Sequence, residues 1–253
     1  MKYTVITGAS SGIGYEAAMA FAERGKNIVA VARREDKLQE LKEAIVSEYP
    51  SVDVVIKTAD LSDSEQVYTF YNSLKEYDIE TFINNAGFGN FDSVAEQDLT
   101  KIQNMLRLNI EALTVLSSLF VRDYENVPGT QLINISSGGG YTIVADAVTY
   151  CSTKFYVSAF TEGLAQELTA KGAEMKAKVL APAATETEFA QRSLDINEFE
   201  YSGSVPQYHT AKEMAEFMLN LYDSDKVVGI VNGETYEFSL VDPIYPYVNR
   251  TPK

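Results

Sequence analysis

Apolar positions along the chain follow two alternating periods. Short runs rich in Val, Ile and Leu recur between longer segments whose apolar residues return every three or four positions. The runs "YTVIT", "NIVAVA", "VDVVIKTA", "TFINN", "TQLINIS", "KAKVLA" and "KVVGIV" read as seven strands. Between the first two, Ile13 to Arg24 reads as a helix stopped at Gly25. "REDKLQELKEAIVSEY" is a second helix, ended by Pro50, and "DSEQVYTFYNSLKEY" a third, with Asp63 or Ser62 as its N-cap. A long helix spans about Thr100 to Asp123, another about Val148 to Ala170, and "AKEMAEFMLNLY" forms a late one.

Strands that are apolar throughout are buried on both faces, which points to a parallel sheet covered by helices. The pattern therefore predicts an α/β fold: a three-layer, doubly wound parallel sheet of about seven strands. No repeat, low-complexity linker or charge boundary divides residues 1–253, so a single domain is expected. The least regular stretch, Glu188 to His209, reads as a lid over a substrate site, as an extra pair of short helices or as an ordinary surface insertion.

Composition then narrows the chemistry. Lys plus Arg number 21 and Asp plus Glu 36, a net charge of −15. Such a chain is unsuited to nucleic acid or an anionic membrane, and an anionic ligand would need a local basic pocket. No run approaches the length of a membrane span and the N-terminus has no signal-like apolar segment. With one cysteine, Cys151, no intrachain disulfide can form, and a cytoplasmic location is expected. One cysteine and one histidine leave no ligand set for a His/Cys metal site, so none is expected. His209, in the loop-like "PQYHTAKE", reads as an ordinary surface histidine.

Two motifs carry specific chemistry. "TGASSGIG" places Gly8, Gly12 and Gly14 between the first strand and the first helix. Glycine permits the tight turn, lets backbone approach a phosphate and allows helix to pack close on strand. The helix N-terminus offers free N–H groups to a pyrophosphate. "YCSTK" sets Tyr150 and Lys154 four residues apart on one helix face. A phenol can act as an acid near neutral pH if a nearby cation favours its anion.

"TGASSGIG", "NNAG" (Asn84 to Gly87), "NISS" (Asn134 to Ser137) and "YCSTK", with Asn109 in the long helix and "PAATET" from Pro182, occur in an order and spacing that resemble the short-chain dehydrogenase/reductase family. The resemblance covers about residues 1 to 190. It implies a single Rossmann-like domain, a nicotinamide dinucleotide cofactor, and hydride transfer between that cofactor and a small-molecule alcohol or carbonyl substrate. It also implies a homodimer or homotetramer.

By the same resemblance, Tyr150 is the proton donor in reduction and the base in oxidation. Lys154 lowers the phenol's pKa and hydrogen-bonds the nicotinamide ribose. Ser137 binds the substrate oxygen, with Ser136 as the competing choice, and Asn109 holds a water in a proton relay. The cofactor-binding set is Gly8, Ser10, Ser11, Gly12, Ile13, Gly14, Arg33, Arg34, Asp60, Leu61, Asn85, Ala86, Gly87, Tyr150, Lys154, Pro182, Thr185 and Thr187. Asp60 reads as an adenine contact or as a helix N-cap.

Cofactor choice turns on the second strand's end. A carboxylate there binds the adenosine ribose diol, and arginine suits a 2′-phosphate. The acidic position counted from Gly14 is Ala32, followed by Arg33 and Arg34, which predicts NADP(H). Arg34 has an alternative reading as a solvated charge paired with Glu35 or Asp36. Ser10 and Ser11 stand where some NADP-dependent relatives carry a basic residue, which leaves the arginine most of the selectivity.

The chain departs from the family pattern in three places. Ala183 stands where glycine is usual. "SGGGY" after Ser137 is glycine-rich and reads as a mobile loop or as room for substrate. The tail "YEFSLVDPIYPYVNRTPK" reads as a cleft cover, a subunit contact or a passive end. The function expected is an NADPH-dependent carbonyl reductase. The rivals are an NAD-linked alcohol or sugar dehydrogenase and a non-catalytic NADP(H)-binding sensor.

Overall fold

Period-two alternation within each strand sends successive side chains to opposite faces, and the computed structural model, which describes residues 1–248, builds one core on each. β1 (Lys2–Thr7), β2 (Asn27–Ala32), β3 (Val54–Thr58), β4 (Asp78–Asn84), β5 (Gln131–Ile135) and β6 (Lys176–Ala181) form a parallel sheet, extended by β9 (Val228–Val231). Ile6, Ile28, Ala30, Ile83, Ile133 and Leu180 face one side. They pack on α1 (Gly12–Glu23), α2 (Glu35–Glu48) and α9 (Ala211–Asp223) through Phe21, Leu41 and Met218. Val5, Val29, Val31, Phe82 and Leu132 face the other. There they meet α3 (Ser64–Ser73), α5 (Leu113–Tyr124) and α6 (Val148–Lys171) through Phe70, Phe120 and Leu168.

With β10 (Phe238–Val241) included, the strand order among the described residues is β10-β9-β6-β5-β4-β1-β2-β3, eight strands rather than about seven. The addition is β10, antiparallel to β9 at the sheet edge. A short turn joins them: Asn232 accepts the Glu234 and Thr235 N–H groups on its side-chain oxygen at 2.8 and 3.0 Å. Only an antiparallel pair can be closed by so short a connection. The segment read as a cleft cover, a subunit contact or a passive end is therefore partly strand. Asn249 to Lys253 of that tail lie outside the described residues.

The order reverses between β1 and β4, and the loops at their C-terminal ends form the crevice where such sheets bind ligands. The long helix read as Thr100 to Asp123 is α4 (Leu99–Leu106) and α5 joined by a π-helical stretch, Arg107–Ala112, that contains Asn109. Asp63 caps α3, accepting from the N–H groups of Glu65 and Gln66, which settles its N-cap and leaves Asp60 out of that role. α6 ends at Gly172, whose φ of 68° is the left-handed cap that glycine favours.

Residues 188–209 contain α7 (Phe189–Leu194), one irregular turn, α8 (Tyr201–Ser204), and the first residue of β8 (His209–Thr210). β8 pairs with β7 (Thr185–Glu186). His209 is consequently half-buried rather than a surface residue, with Phe217 and Tyr236 packed against its ring at 5.1 and 5.9 Å. Among the described residues, no helix is long and apolar enough to cross a membrane.

Candidate active site

The glycine turn is forced by its neighbours. Gly8 and Gly12 adopt φ of 68° and 56°, and a Cβ on Gly14 would collide with the Gly8 carbonyl and the Asn85 side chain. Asn85 braces the turn by donating to the carbonyls of Thr7 and Gly8 at 2.9 and 3.3 Å. The Thr7 hydroxyl accepts from the N–H groups of Asn85 and Ala86, both at 3.0 Å. Backbone thus stays bare at the start of α1, beginning at Gly12 and Ile13, and this is a cradle that fits a pyrophosphate.

At the end of β5, two adjacent serines diverge. Ser136 turns inward, donating to the Lys154 carbonyl at 3.0 Å and lying 2.7 Å from the Ser158 hydroxyl. Ser137 turns toward Tyr150 and accepts from the Gly139 N–H at 3.1 Å. A Cβ on Gly139 would lie 3.4 Å from Ser137 Oγ and 3.7 Å from the Tyr150 ring, so the two polar groups flank one glycine. Gly138–Gly140 is a single 3₁₀ turn, and a Cβ on Gly140 would collide with Ser136 and Ser158. These glycines permit close packing; at Gly140 they leave no room for substrate.

Tyr150 and Lys154 occupy one face of α6, with Lys154 Nζ 5.9 Å from the centre of the Tyr150 ring. Both are buried, at 7% and 6% exposure. Lys154 Nζ donates to the Ile135 carbonyl at 2.9 Å. Burial lowers the lysine pKa to about 8. It also raises the Tyr150 phenol well above its ordinary value, against the opposing effect of Ser137. In the protein without cofactor, burial is thus the largest influence on the phenol and the Ser137 hydrogen bond the one that opposes it.

Asn109 faces the same point from the π-helical stretch. Its amide donates to Phe88 O and Thr153 Oγ1 at 2.9 and 3.1 Å, and its oxygen accepts from the Phe88 N–H at 3.2 Å. A Cβ on Gly87 would sit 3.0 Å from Asn109 Oδ1 and 3.6 Å from Lys154 Nζ. Gly87 is thus the gap between the asparagine and the lysine.

Arg33 is exposed, after the buried Ala32 that ends β2. Arg34 does not pair with Glu35 or Asp36. It folds back on the glycine turn, donating to Ser10 Oγ and Ser11 Oγ at 3.2 and 2.9 Å, and forms an ion pair with Glu188 at 3.0 Å. Glu188 is also gripped by Arg192. Asp60 turns its carboxylate onto its own loop, accepting from Ser62 N–H and Oγ at 3.0 and 2.7 Å, and Leu61 is buried beside it.

Pro182 accepts the Gly138 N–H at 2.7 Å, which ties the β6 end to the Ser137 turn. Ala183 is not among the positive-φ residues, so alanine fits where glycine is usual. The Thr185 and Thr187 hydroxyls donate to the Ala183 and Thr185 carbonyls at 3.0 and 3.3 Å, shaping the approach to α7. That helix lies over Tyr150: Phe189 and Phe91 stand 5.4 and 6.2 Å from its ring. Lys101 holds α7 down through Ser193 O and Asp195 at 3.0 and 2.7 Å.

Several of these groups were not singled out by sequence reasoning: Phe91, Phe189, Lys101, Glu188 and Arg192. The wholly buried Asn90, whose side chain has no partner among the described residues, belongs with them. Only Glu188 gave a signal, as a boundary of the irregular stretch.

Residues 2–197 match the sequence model of the family described as short chain dehydrogenase. A relative from Gallus gallus, dehydrogenase/reductase SDR family member 11, is 30% identical over 196 residues, 75% of this chain and 76% of its own. The solved short-chain dehydrogenase from Sphingobium yanoikuyae, in complex with NADPH, superposes with a TM-score of 0.80 at 31% identity, covering 91% of this chain and 87% of that one. A bulky-bulky ketone specific alcohol dehydrogenase from Comamonas testosteroni gives a TM-score of 0.76 at 27% identity, over 91% and 86% of the two chains.

Proposed function

The chain belongs to the short-chain dehydrogenase family, and from that premise we propose that it is an NADPH-dependent reductase of ketones or aldehydes. The observation that carries this reading is the meeting of Ser137 and Tyr150 around Gly139, with Lys154 on the same face of α6 beside Gly87 and Asn109.

A bound NADPH would supply the hydride. The glycine turn, with Ser10, Ser11 and Ile13, would hold its pyrophosphate, and Arg33 and Arg34 its 2′-phosphate. Asp60 and Leu61 would bind at the adenine end, and Asn85, Ala86, Gly87, Pro182, Thr185 and Thr187 at the nicotinamide end. NADPH in the Sphingobium yanoikuyae neighbour supports the cofactor choice, as does the lack of a carboxylate at Ala32.

Tyr150 donates its phenolic proton to the oxygen that gains charge as hydride reaches the carbonyl carbon. Burial favours that role, since it keeps the phenol in its protonated form. Ser137 donates a hydrogen bond to the same oxygen, stabilising negative charge where it develops. Lys154 uses one ammonium proton on Ile135, leaving two for the cofactor ribose and the relay through Asn109. Phe91 and Phe189 exclude water from the phenol and present apolar surface to a carbonyl substrate. The reading extends to a cytoplasmic homodimer or homotetramer.

The test is NADPH oxidation against a broad panel of ketones and aldehydes. Turnover faster with NADPH than with NADH supports the reading. Tight NADPH binding without turnover on any of the panel points to a sensor, and equal or tighter NADH binding to an NAD-linked dehydrogenase.

A further inference from the structure

At the rim of the glycine turn, Glu188 is the anion of a built cationic site. Arg34 donates to its two carboxylate oxygens at 3.3 and 3.0 Å, and Arg192 donates to the same Oε2. Burial alone would raise the Glu188 pKa; the Arg34 hydrogen bond and the charges of Arg192 and Arg34 outweigh it and lower it. Burial lowers the Arg192 pKa, and the positive charges of Arg34 and Arg33 act in the same direction. Two guanidinium groups, those of Arg34 and Arg192, thus meet on one carboxylate in a chain whose net charge is −15. Counting +2 for them and −1 for Glu188 leaves +1 on the cluster.

Like charges gather only around something that offsets them. A single carboxylate does so incompletely. A phosphate monoester carries about −1.5 to −2 and three acceptor oxygens, and pairs with several guanidinium groups at once.

We propose that Arg192, on α7, is a further ligand for the adenosine 2′-phosphate of the cofactor, and that Glu188 is an internal counter-ion which holds Arg34 and Arg192 until that phosphate displaces it. The proposal rests on the NADPH reading above and adds a residue from outside the β2 end to it. Its geometry has a consequence for the substrate side. Glu188 and Arg192 flank Phe189, whose ring lies 5.4 Å from that of Tyr150. The same short helix thus touches the phosphate site and the reacting centre.

The test is direct binding of NADPH and NADH, followed by fluorescence titration or calorimetry without substrate, to wild type, Arg192→Met and Glu188→Gln. Arg192→Met is expected to weaken NADPH by about tenfold while leaving NADH within about twofold, the scale of one charge-assisted hydrogen bond to a phosphate. Arg192→Lys, which keeps the charge, retains most of the preference. Glu188→Gln removes the competing anion and is expected to tighten NADPH severalfold with NADH unchanged. The proposal is overturned if Arg192→Met weakens both cofactors equally or neither. It is also overturned if Glu188→Gln weakens NADH and spares NADPH, because Glu188 would then be a ligand for the ribose diol. If Arg192→Met does not fold, Glu188→Gln decides alone. The wild-type NADPH-to-NADH ratio tests the cofactor reading separately; a wild type that prefers NADH sinks that reading and leaves Arg192 to be judged by the variants.

Discussion

Lys154 grips the end of β5 twice: its Nζ donates to the Ile135 carbonyl at 2.9 Å, and its own carbonyl accepts from Ser136 Oγ at 3.0 Å. The second bond is insensitive to charge; the first ties a titratable group to the fold. Burial lowers the Lys154 pKa to about 8, from 10.5 in the unfolded chain. Between those values the unfolded state binds a proton that the folded state does not, so stability rises with pH across that window. Lys154→Met removes this contribution. From pH 7 to about pH 10, wild type should gain about 2–3 kcal/mol relative to the variant, read as the change in their difference in urea unfolding. A difference that stays flat with pH would show that the buried lysine keeps its ordinary pKa.

Tyr150 titrates in the opposite sense. Burial raises its phenol above the ordinary value of 10, so it remains a proton donor throughout the neutral range in the cofactor-free protein. The difference in tyrosinate absorbance between wild type and Tyr150→Phe should show no ionisation below about pH 10. A transition in that difference near neutral pH would mean that Lys154 alone activates the phenol.

Arg33 is exposed and separate from the Ser10 and Ser11 contacts that engage Arg34. Arg33→Ala should therefore leave the glycine turn intact and weaken NADPH by about tenfold or more, with little effect on NADH. Equal loss for both cofactors would show that Arg33 does not meet the 2′-phosphate.

Glu162, fully buried on α6, clasps the C-terminal segment. It accepts from the Tyr141 hydroxyl at 2.6 Å and from the Ile244 and Tyr245 N–H groups at 2.5 and 2.8 Å. Tyr245 in turn donates to the Gly140 carbonyl at 2.8 Å and stacks on Tyr141. Glu162→Ala leaves three part-buried donors without their acceptor and should cost about 1–3 kcal/mol in thermal or urea unfolding. Because Gly140 closes the turn capped by Ser137, kcat should fall while NADPH affinity is kept. Unchanged stability would mean that the segment is held by other contacts.

The contrast between these residues explains what the chain disclosed before folding. The strands, the glycine turn and the Tyr150–Lys154 pair were legible because each is local: a period of two, a run of glycines, a spacing of four. Their joint position followed from the parallel order of the strands. The fate of the tail was not legible, since β10 exists only by pairing with β9 and Ile244 is fixed by a carboxylate 82 residues away. Nor was the π-helical stretch at Asn109, whose side-chain bonds to Phe88 and Thr153 are tertiary. The partners of Arg34 were not legible for the same reason: Glu35 and Asp36 are adjacent in sequence, but Ser11 and Glu188 are adjacent in space. His209 likewise looked like a loop residue until β7 supplied its partner strand.

The central claim is that Tyr150 delivers the proton in NADPH-dependent carbonyl reduction. The most direct measurement is the rate of NADPH oxidation on a ketone or aldehyde that wild type reduces, compared with Tyr150→Phe under saturating cofactor, with NADPH affinity measured alongside. The account predicts that kcat falls by about a hundredfold or more while NADPH binds as in wild type. A variant that keeps kcat within about tenfold, a barrier change of only ~1.4 kcal/mol, would contradict it.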